Sequence, residues 1–269
     1  MANKIDVKVR IPDNGSISKA TLKVSISLID GDKMEYLKQH FFSPATVVPD
    51  VYRYKVYIKQ DDLILGQHLK SDVSDTRFFD HKASRYKKSI VLLLESPHSK
   101  EYYCENEEML PIAPAQGITG NNLHLYISNY IKKATQVCNL NLGSYPIIIV
   151  NPIPWQTSLH YVLENQREIQ KKEKKEIKEE VWRKIWETEG VQKYFKSRLD
   201  RYNPKLFINA CTGGKFSNDD LDSTQLNYLV YKYLRDNYEG VPIVNTCHPS
   251  SPHFRTMEED RQPKHFWIV

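Results

Sequence analysis

The sequence predicts a three-layer α/β/α sandwich with a central four-stranded parallel sheet, preceded by a β-rich N-terminal region. Four apolar runs, at residues 90–94, 145–150, 204–210 and 241–246, show no alternation of polar and apolar residues. Such runs are typical of strands that are buried on both faces. Segments with helical periodicity separate them, and strands that alternate with helices form parallel sheets through right-handed crossovers. We therefore assign residues 1–80 to the β-rich region and residues 81–269 to the α/β/α domain.

The N-terminal region is predicted to form an antiparallel meander. Residues 5–11, 20–29 and 51–58 show alternation or enrichment in β-branched residues, and turn-forming sequences stand at residues 12–15 (PDNG) and 30–31 (DG). Both features favour short strands joined by turns. The region contains no recognisable catalytic motif. Residues 71–88, which follow it, are polar and basic, and they form either a linker or an edge that contacts phosphates.

The first apolar run of the α/β/α domain ends abruptly in polar residues. Residues 89–98 read SIVLLLESPH, so Glu95, Ser96 and His98 follow the strand directly. Ligands bind at the carboxyl ends of the strands in open α/β sheets, which makes this a candidate site. Pro97 makes the turn rigid. The plain alternative is a buried strand that enters an ordinary polar loop.

The rest of the chain repeats this arrangement. A loop at residues 111–122 (PIAPAQGITGNN) allows close backbone approach at Gly117 and Gly120, and helices are predicted at residues 123–137, 163–199 and 221–238. The other three strands each end in a polar cluster, at residues 151–158 (NPIPWQTS), 211–214 (CTGG) and 247–255 (CHPSSPHFR). The carboxyl ends of parallel strands meet at one edge of a sheet. We therefore expect convergence there of Glu95, Asn151, Thr212 and His248.

Composition and charge narrow the class of protein. The chain has 269 residues, 26% of them charged, and a net charge of +5, which makes polyanions plausible partners. No signal peptide or membrane span is predicted, so a cytoplasmic location is the expectation. The four cysteines are far apart in sequence and form no Cys-x-x-Cys pair, which favours free thiols over zinc or disulfides.

The ordered motifs resemble those of the uracil-DNA glycosylase superfamily over roughly residues 89–255. Residues 94–98 (LESPH) look like its first motif, and residues 116–120 (QGITG) resemble the loop that covers the base. Asn151 is similar to the asparagine that reads the base edge. His248-Pro249-Ser250 matches the last motif, whose histidine faces the departing base and whose loop enters the DNA minor groove. The resemblance implies the three-layer glycosylase fold.

The resemblance also implies a monofunctional DNA glycosylase that flips a base and leaves an abasic site. Cleavage places positive charge on the sugar and negative charge on the base, so Glu95 would stabilise the sugar or activate water, and His248 would donate to the base. Asn151 would pair with the edge of a pyrimidine. The predicted base-binding residues are Ser96, Pro97, His98, Gly117, Ile118, Asn151 and Trp155. The predicted DNA-binding residues are Thr157, Ser158, Ser250, Ser251, His253, Phe254 and Arg255.

The sequence departs from the superfamily pattern at several positions. Leu94 replaces a glycine, Ser96 replaces the aspartate of the best-known branch, and Ile118 replaces an aromatic residue. His98 is bulkier than the glycine of the nearest branch, so it would either exclude 5-substituted pyrimidines, as a tyrosine does in another branch, or belong to a reshaped pocket. These departures favour, beside uracil, an altered base such as a hypermodified cytosine of phage DNA, attacked in antiviral defence. The cysteines lack the spacing of an iron–sulfur cluster, and no lysine stands in the motifs to form a Schiff base.

The predicted partner is therefore DNA, without metal, organic cofactor, membrane or obligatory protein partner. Two alternatives belong to other classes. In the first, a glycosylase-like fold binds DNA or nucleotides without cutting, and Ser96 and Ile118 mark lost catalysis. In the second, Ser96 is the nucleophile of a hydrolase with His248 as its base, although the sequence has no Gly-x-Ser-x-Gly elbow.

Overall fold

A computed structural model describes residues 3–13, 16–26, 47–59, 63–68, 88–105, 108–136, 138, 140–157, 171–212, 225–251 and 267–268. Within these ranges the chain forms eleven strands and four α-helices. The strands are β1 (Asn3–Asp13), β2 (Ser16–Ile26), β3 (Val51–Ile58), β4 (Leu63–His68), β5 (Ser89–Leu93), β6 (Tyr102–Glu105), β7 (Glu108–Pro111), β8 (Gly143–Val150), β9 (Pro204–Asn209), β10 (Ile243–Asn245) and β11 (Trp267–Ile268). The helices are α1 (Gly117–Gln136), α2 (Lys171–Trp186), α3 (Val191–Asp200) and α4 (Leu226–Asn237).

The chain divides into two compact units, and each is made of three separate segments. The hairpin unit comprises Met1–Val48, Ser96–Ile112 and Ile153–Ser197. The sheet unit comprises Pro49–Glu95, Ala113–Pro152 and Arg198–Val269. The domain boundary predicted near residue 80 falls between residues 69 and 87, outside the described part of the chain, and it stays a prediction.

The sheet unit contains a seven-stranded mixed sheet in the order β11-β10-β9-β5-β8-β3-β4. Strands β10, β9, β5 and β8 are mutually parallel and occupy its middle. Strand β11 pairs antiparallel with β10, and β3 pairs antiparallel with both β8 and β4. Every residue of β5 is buried, which explains why this strand has no polar alternation. The protein is therefore a mixed α/β protein, as the sequence predicts.

The sheet is larger than the four strands predicted. All four predicted parallel strands are present, but β3 and β4 extend the sheet on the side of β8. The predicted N-terminal meander is confirmed for its first two strands, since β1 pairs antiparallel with β2 from Asn3↔Ile26 to Asp13↔Ser16. It is wrong for β3, which pairs with β8 and β4. Alternation in β3 signals a strand, but it carries no information about which strand is its neighbour.

Two predicted helices differ from those observed. Helix α1 begins at Gly117 rather than at residue 123, so the predicted base-covering loop at residues 116–120 is mostly its first turn. Its buried apolar residues include Leu123, Ile127 and Ile131, spaced four apart on one face. The single helix predicted at residues 163–199 is observed as α2 and α3, separated at residues 187–190, where Gly190 has φ +88°. Residues 163–170 lie outside the described ranges.

The hairpin unit is built from the β1–β2 hairpin, the β6–β7 hairpin, α2 and most of α3. The indole rings of Trp182 and Trp186 stack with their centroids 5.2 Å apart, and Phe195 meets Trp186 edge-on at 5.5 Å. All three side chains are buried. This aromatic cluster joins α2 to α3 and accounts for much of the apolar core of the unit. Across the described residues, no helix is long and apolar enough to cross a membrane.

Candidate active site

Glu95 and Asn151 lie at the carboxyl ends of two adjacent parallel strands. The β5–β8 register pairs Leu93 with Val150, and the N–H of Leu94 donates to the carbonyl of Val150 at 2.9 Å. Glu95 therefore stands two residues beyond the pairing and Asn151 one residue beyond it. Both are buried, with 4% and 2% of their surface exposed. The sequence prediction that these two residues share one edge of the sheet is consistent with this register.

His248 lies in a tight turn after β10, and the turn determines its tautomer. The backbone N–H of Ser250 donates to Nδ1 of His248 at 3.2 Å, and the Ser250 hydroxyl lies 2.8 Å from the same atom. The N–H of Ser251 donates to the carbonyl of His248 at 2.8 Å and closes the turn. Because a backbone N–H can only donate, Nδ1 is an acceptor, and a neutral imidazole carries its proton on Nε2.

Helix α1 holds the His248 turn on both sides. The side-chain amide of Asn122 donates to the carbonyl of Pro249 at 2.6 Å, and the Tyr130 hydroxyl donates to the carbonyl of Cys247 at 3.4 Å. Asn122 and Tyr130 are both buried. The backbone on either side of the imidazole is thus tied to one rigid element, which limits the movement of His248.

The segment that leads into α1 is held by Arg53 of β3. Its guanidinium donates to the carbonyls of Ala115 at 2.7 Å and Pro114 at 2.6 Å. The β3–β8 register pairs Tyr52 with Ile148 and Tyr54 with Ile147, so Arg53 is the extra residue of a β-bulge. Bulges re-aim a side chain, and here the bulge accompanies a buried arginine that is hydrogen-bonded to this segment.

The same segment has a conformation that favours glycine. Ala115 and Gly117 have φ values of 60° and 67°, a region that side chains disfavour. A Cβ atom on Gly120 would lie 2.1 Å from the carbonyl oxygen of Ala115. Gly117 is half-buried, whereas Ile118 is 57% exposed. Both belong to the sheet unit, and Ile118 presents an apolar side chain at the start of α1.

Arg198 holds the backbone of Asn151. One of its terminal nitrogens donates to the carbonyls of Asn151 at 2.8 Å and Pro152 at 3.1 Å. The other donates to Asp50 at 2.6 Å, and the Tyr202 hydroxyl donates to the second Asp50 oxygen at 2.8 Å. The Arg198 and Asp50 side chains are only 5% and 3% exposed. Burial raises the pKa of Asp50, and the opposing charge of Arg198 limits that rise.

Among the residues that the structure describes, five of the predicted site residues belong to the hairpin unit: Ser96, Pro97, His98, Trp155 and Thr157. The Ser96 hydroxyl lies 2.6 Å from that of Thr157, which is fully buried. Trp155 is 1% exposed and packs against Tyr194, with centroids 6.2 Å apart. His98 is half-buried and accepts the Lys100 N–H at 3.4 Å.

Two of these residues are less accessible than their predicted roles require. Trp155 is predicted to stack on a base and Thr157 to contact DNA, and both side chains are buried; both roles stay predictions. A buried tryptophan that packs on a tyrosine contributes to the core and would need a rearrangement to meet a base. Ser250 is exposed and Ser251 half-buried, so both remain accessible. Ser158, His253, Phe254 and Arg255 lie outside the residues that the structure describes.

At the end of β9 the buried polar residue is an asparagine rather than the predicted Thr212. Asn209, the last residue of β9, is buried and donates to Oδ1 of Asn245 at 2.8 Å and to the carbonyl of Asn227 at 2.9 Å. The Cys211 N–H in turn donates to Asn209 at 3.3 Å. Thr212, predicted to converge with the other strand ends, lies three residues further on and is half-buried. The carboxamides of Asn209 and Asn245 therefore join the ends of β9 and β10.

Sequence reasoning missed the residues that support the site. Asp50, Arg53, Asn122 and Arg198 occur in no motif, and each acts on a segment far away in the sequence. For Asp50, Arg53 and Arg198 the available signal was a charged residue within or beside an apolar pattern, since such residues are buried only when paired. That signal marks a residue as structurally important, but it does not identify its partner.

No family model, no curated protein and no solved structure matches the chain. Within the described ranges, no cluster of three or more histidine, cysteine, aspartate or glutamate residues could hold a metal ion. The mixed α/β fold and the buried polar groups at the ends of its parallel strands are what define the candidate site.

Proposed function

We propose that this protein is a monofunctional DNA glycosylase that releases uracil or a modified pyrimidine and leaves an abasic site. The observation that carries the proposal is the set of groups at the carboxyl ends of the parallel strands. A buried carboxylate, Glu95, and a buried carboxamide, Asn151, follow neighbouring strands, and His248 follows β10 in a turn that favours an Nε2–H donor. These are the groups that base recognition and glycosidic cleavage require.

The strand order supports the three-layer form of the fold. The connection from β5 through α1 to β8 runs toward one side of the sheet, and the connection from β9 through α4 to β10 runs toward the other. Right-handed crossovers in opposite directions place their helices on opposite faces of a sheet. Helices α1 and α4 would accordingly form the two outer layers of the sheet unit.

Each group has a defined task in the proposed reaction. As the bond from C1′ to the base breaks, the sugar becomes positive and the base becomes negative. The Glu95 carboxylate stabilises the sugar and orients the attacking water. His248 donates from Nε2 to a base oxygen, and a neutral imidazole suffices for this. Asn151 offers one donor group and one acceptor to the edge of the flipped pyrimidine.

The departures from the superfamily pattern bear on the choice of base. Ile118, exposed at the start of α1, offers an apolar surface without the aromatic face that the superfamily usually presents. Ser96 replaces the acidic group of the first motif. We propose that the target extends to pyrimidines with bulky 5-substituents, including hypermodified cytosines of phage DNA, with a role in antiviral defence.

The test is base release from labelled oligonucleotides followed by alkaline cleavage of abasic sites. The panel contains uracil, hypoxanthine, 5-hydroxymethylcytosine and its glucosylated form. We expect release from at least one substrate, and we expect Glu95→Gln and His248→Ala each to lower its rate by roughly 10²–10⁴-fold. Glu187→Gln and His124→Ala make the same changes at exposed positions and should keep full activity.

Other outcomes distinguish the alternatives. No release from any substrate, together with salt-sensitive DNA binding, would favour the non-catalytic binder. Release that survives both active-site substitutions would refute the roles given to Glu95 and His248. The hydrolase alternative gains no support from the site, because the Ser96 hydroxyl bonds to the hydroxyl of Thr157, which is not a general base.

A further inference from the structure

The strongest unassigned feature of the sheet unit is the buried group formed by Arg198, Asp50 and Tyr202. Arg198 donates to two successive carbonyl oxygens, those of Asn151 and Pro152, at the point where the chain leaves β8. Carbonyls of this kind need a donor when they are buried. A planar guanidinium can satisfy both of them and still reach a carboxylate with its other terminal nitrogen.

The geometry leaves Arg198 little freedom. Asp50 accepts from Arg198 at 2.6 Å with one oxygen and from the Tyr202 hydroxyl at 2.8 Å with the other. Arg198 itself is 4% exposed and Tyr202 7%. A charged pair in such surroundings is costly to assemble and contributes little net stability compared with apolar residues of similar size. Such an ion pair can instead hold in position the backbone groups that it contacts.

What Arg198 contacts is the main chain of the residue proposed to read the base. Two fixed carbonyls in succession restrict the backbone angles at Asn151 and Pro152, and Pro152 has a restricted φ of its own. The direction in which the Asn151 side chain leaves the backbone is set by those angles. Arg198 therefore acts on base recognition through Asn151 and touches no substrate.

We propose that Arg198, anchored by Asp50, is a positioning residue that determines base specificity by holding Asn151 in its reading orientation. This inference rests on the proposed glycosylase function. A site that hydrogen-bonds a substrate edge rejects bases that lack the matching groups, provided that its own groups stay in place. Loss of the Arg198 contact lowers that discrimination while the DNA backbone is bound as before.

The experiment measures kcat and KM for the base that the wild-type protein releases best and for the poorest pyrimidine that it still releases. Arg198→Lys keeps the charge but lacks the planar fork. We expect its kcat on the best base to fall by roughly 10²-fold, as misplacement by about 1 Å does in enzymes. Its KM for DNA should stay within about threefold of the wild-type value. The discrimination, defined as kcat/KM for the best base divided by kcat/KM for the poorest, should fall by a factor at least as large as that for kcat.

Two further variants separate positioning from simple loss of structure. Tyr202→Phe removes a hydrogen bond from Asp50 but leaves the Arg198 contacts intact, so it should keep wild-type discrimination. The double substitution Asp50→Asn with Arg198→Met removes both charges together and serves if Arg198→Lys fails to fold. It should reproduce the loss of discrimination. Hydrogen exchange at residues 148–154 should rise in Arg198→Lys but not in Tyr202→Phe.

The possible failures are distinct. If the wild-type protein releases no base, the proposed function fails and the inference falls with it. If the wild-type protein is active and Arg198→Lys keeps the wild-type ratio between the two bases, the glycosylase function stands and the positioning role is overturned. Equal loss of discrimination in Tyr202→Phe would also overturn it, because the effect would then follow from general loosening of the core.

Discussion

The contact between Gly120 and the Ala115 carbonyl makes Gly120 a demanding position for a side chain. A Cβ atom there would lie 2.1 Å from a backbone oxygen, so either α1 or the segment held by Arg53 has to shift. We expect Gly120→Ala to lower the free energy of unfolding by about 1–3 kcal/mol, as overpacking does. The measurement is urea denaturation followed by circular dichroism.

The matched control for this prediction is Asn121→Ala, one position along the same helix and exposed. It should change the free energy of unfolding by less than about 0.5 kcal/mol. Equal stability of the two variants would mean that the segment before α1 yields easily, and that Arg53 does not hold it in place.

At the scale of single residues, the sequence was informative only where a residue directly follows a strand. Glu95 and Asn151 stand immediately beyond unbroken apolar runs, so their place at the sheet edge followed from the pattern. Trp155 was assigned to base stacking and Thr157 to DNA contact, and their burial depends on packing that no local pattern reveals. Asp50 and Arg198 form an ion pair across 148 residues of sequence, which no periodicity could detect.

Helix α1 is the element that links the candidate active site to the core of the sheet unit. Asn122 is its contact with the His248 turn, through the carbonyl of Pro249. We expect Asn122→Ala to lower kcat for base release and to cost about 1–3 kcal/mol of stability, since it leaves a carbonyl without this donor. Asn129→Ala, one heptad along α1 and exposed, is the control and should leave both quantities unchanged.

An Asn122→Ala variant with wild-type kcat would show that the turn keeps its shape by its own hydrogen bonds. Those bonds are the ones from Ser250 and Ser251 to His248. A loss of stability without a loss of kcat would likewise show that α1 does not position His248.

The existence of most elements was predictable, but several of their ends were not. Helix α1 was expected to start at residue 123 because Gly117 and Gly120 are typical of loops. The observed start depends on the close approach of Gly120 to Ala115, which is a tertiary contact. The break between α2 and α3 lies at Gly190, with φ +88°, inside a charged pattern that continues on both sides.

At the scale of the whole molecule, the β-rich residues 1–80 contribute to both units. Strand β3 covers the edge of β8, and it supplies Arg53, while Asp50 directly precedes it. We expect a fragment of residues 81–269 to aggregate or to lack a cooperative unfolding transition, because it exposes β8 as an edge strand and leaves Arg198 without its carboxylate. Size-exclusion chromatography and thermal melts measure this.

The comparison fragment is residues 47–269, which keeps every described strand of the seven-stranded sheet. It should elute without aggregates and unfold cooperatively. A monomeric, cooperatively unfolding 81–269 fragment would contradict the importance assigned to β3.

The parallel middle of the sheet was predictable from its unbroken apolar runs, whereas the attachment of β3 was not, since half-buried alternation is compatible with many neighbours.

The division of each unit into three segments affects how the protein folds during synthesis. The hairpin unit is complete only when residues up to Ser197 have been made, and the sheet needs Trp267–Ile268 for its last described strand. Strand β5, buried along its whole length in the finished protein, pairs with β9, which is synthesised much later. Until β9 has been made, a nascent chain therefore carries an apolar strand with at least one unpaired edge, and that strand is a natural binding site for chaperones.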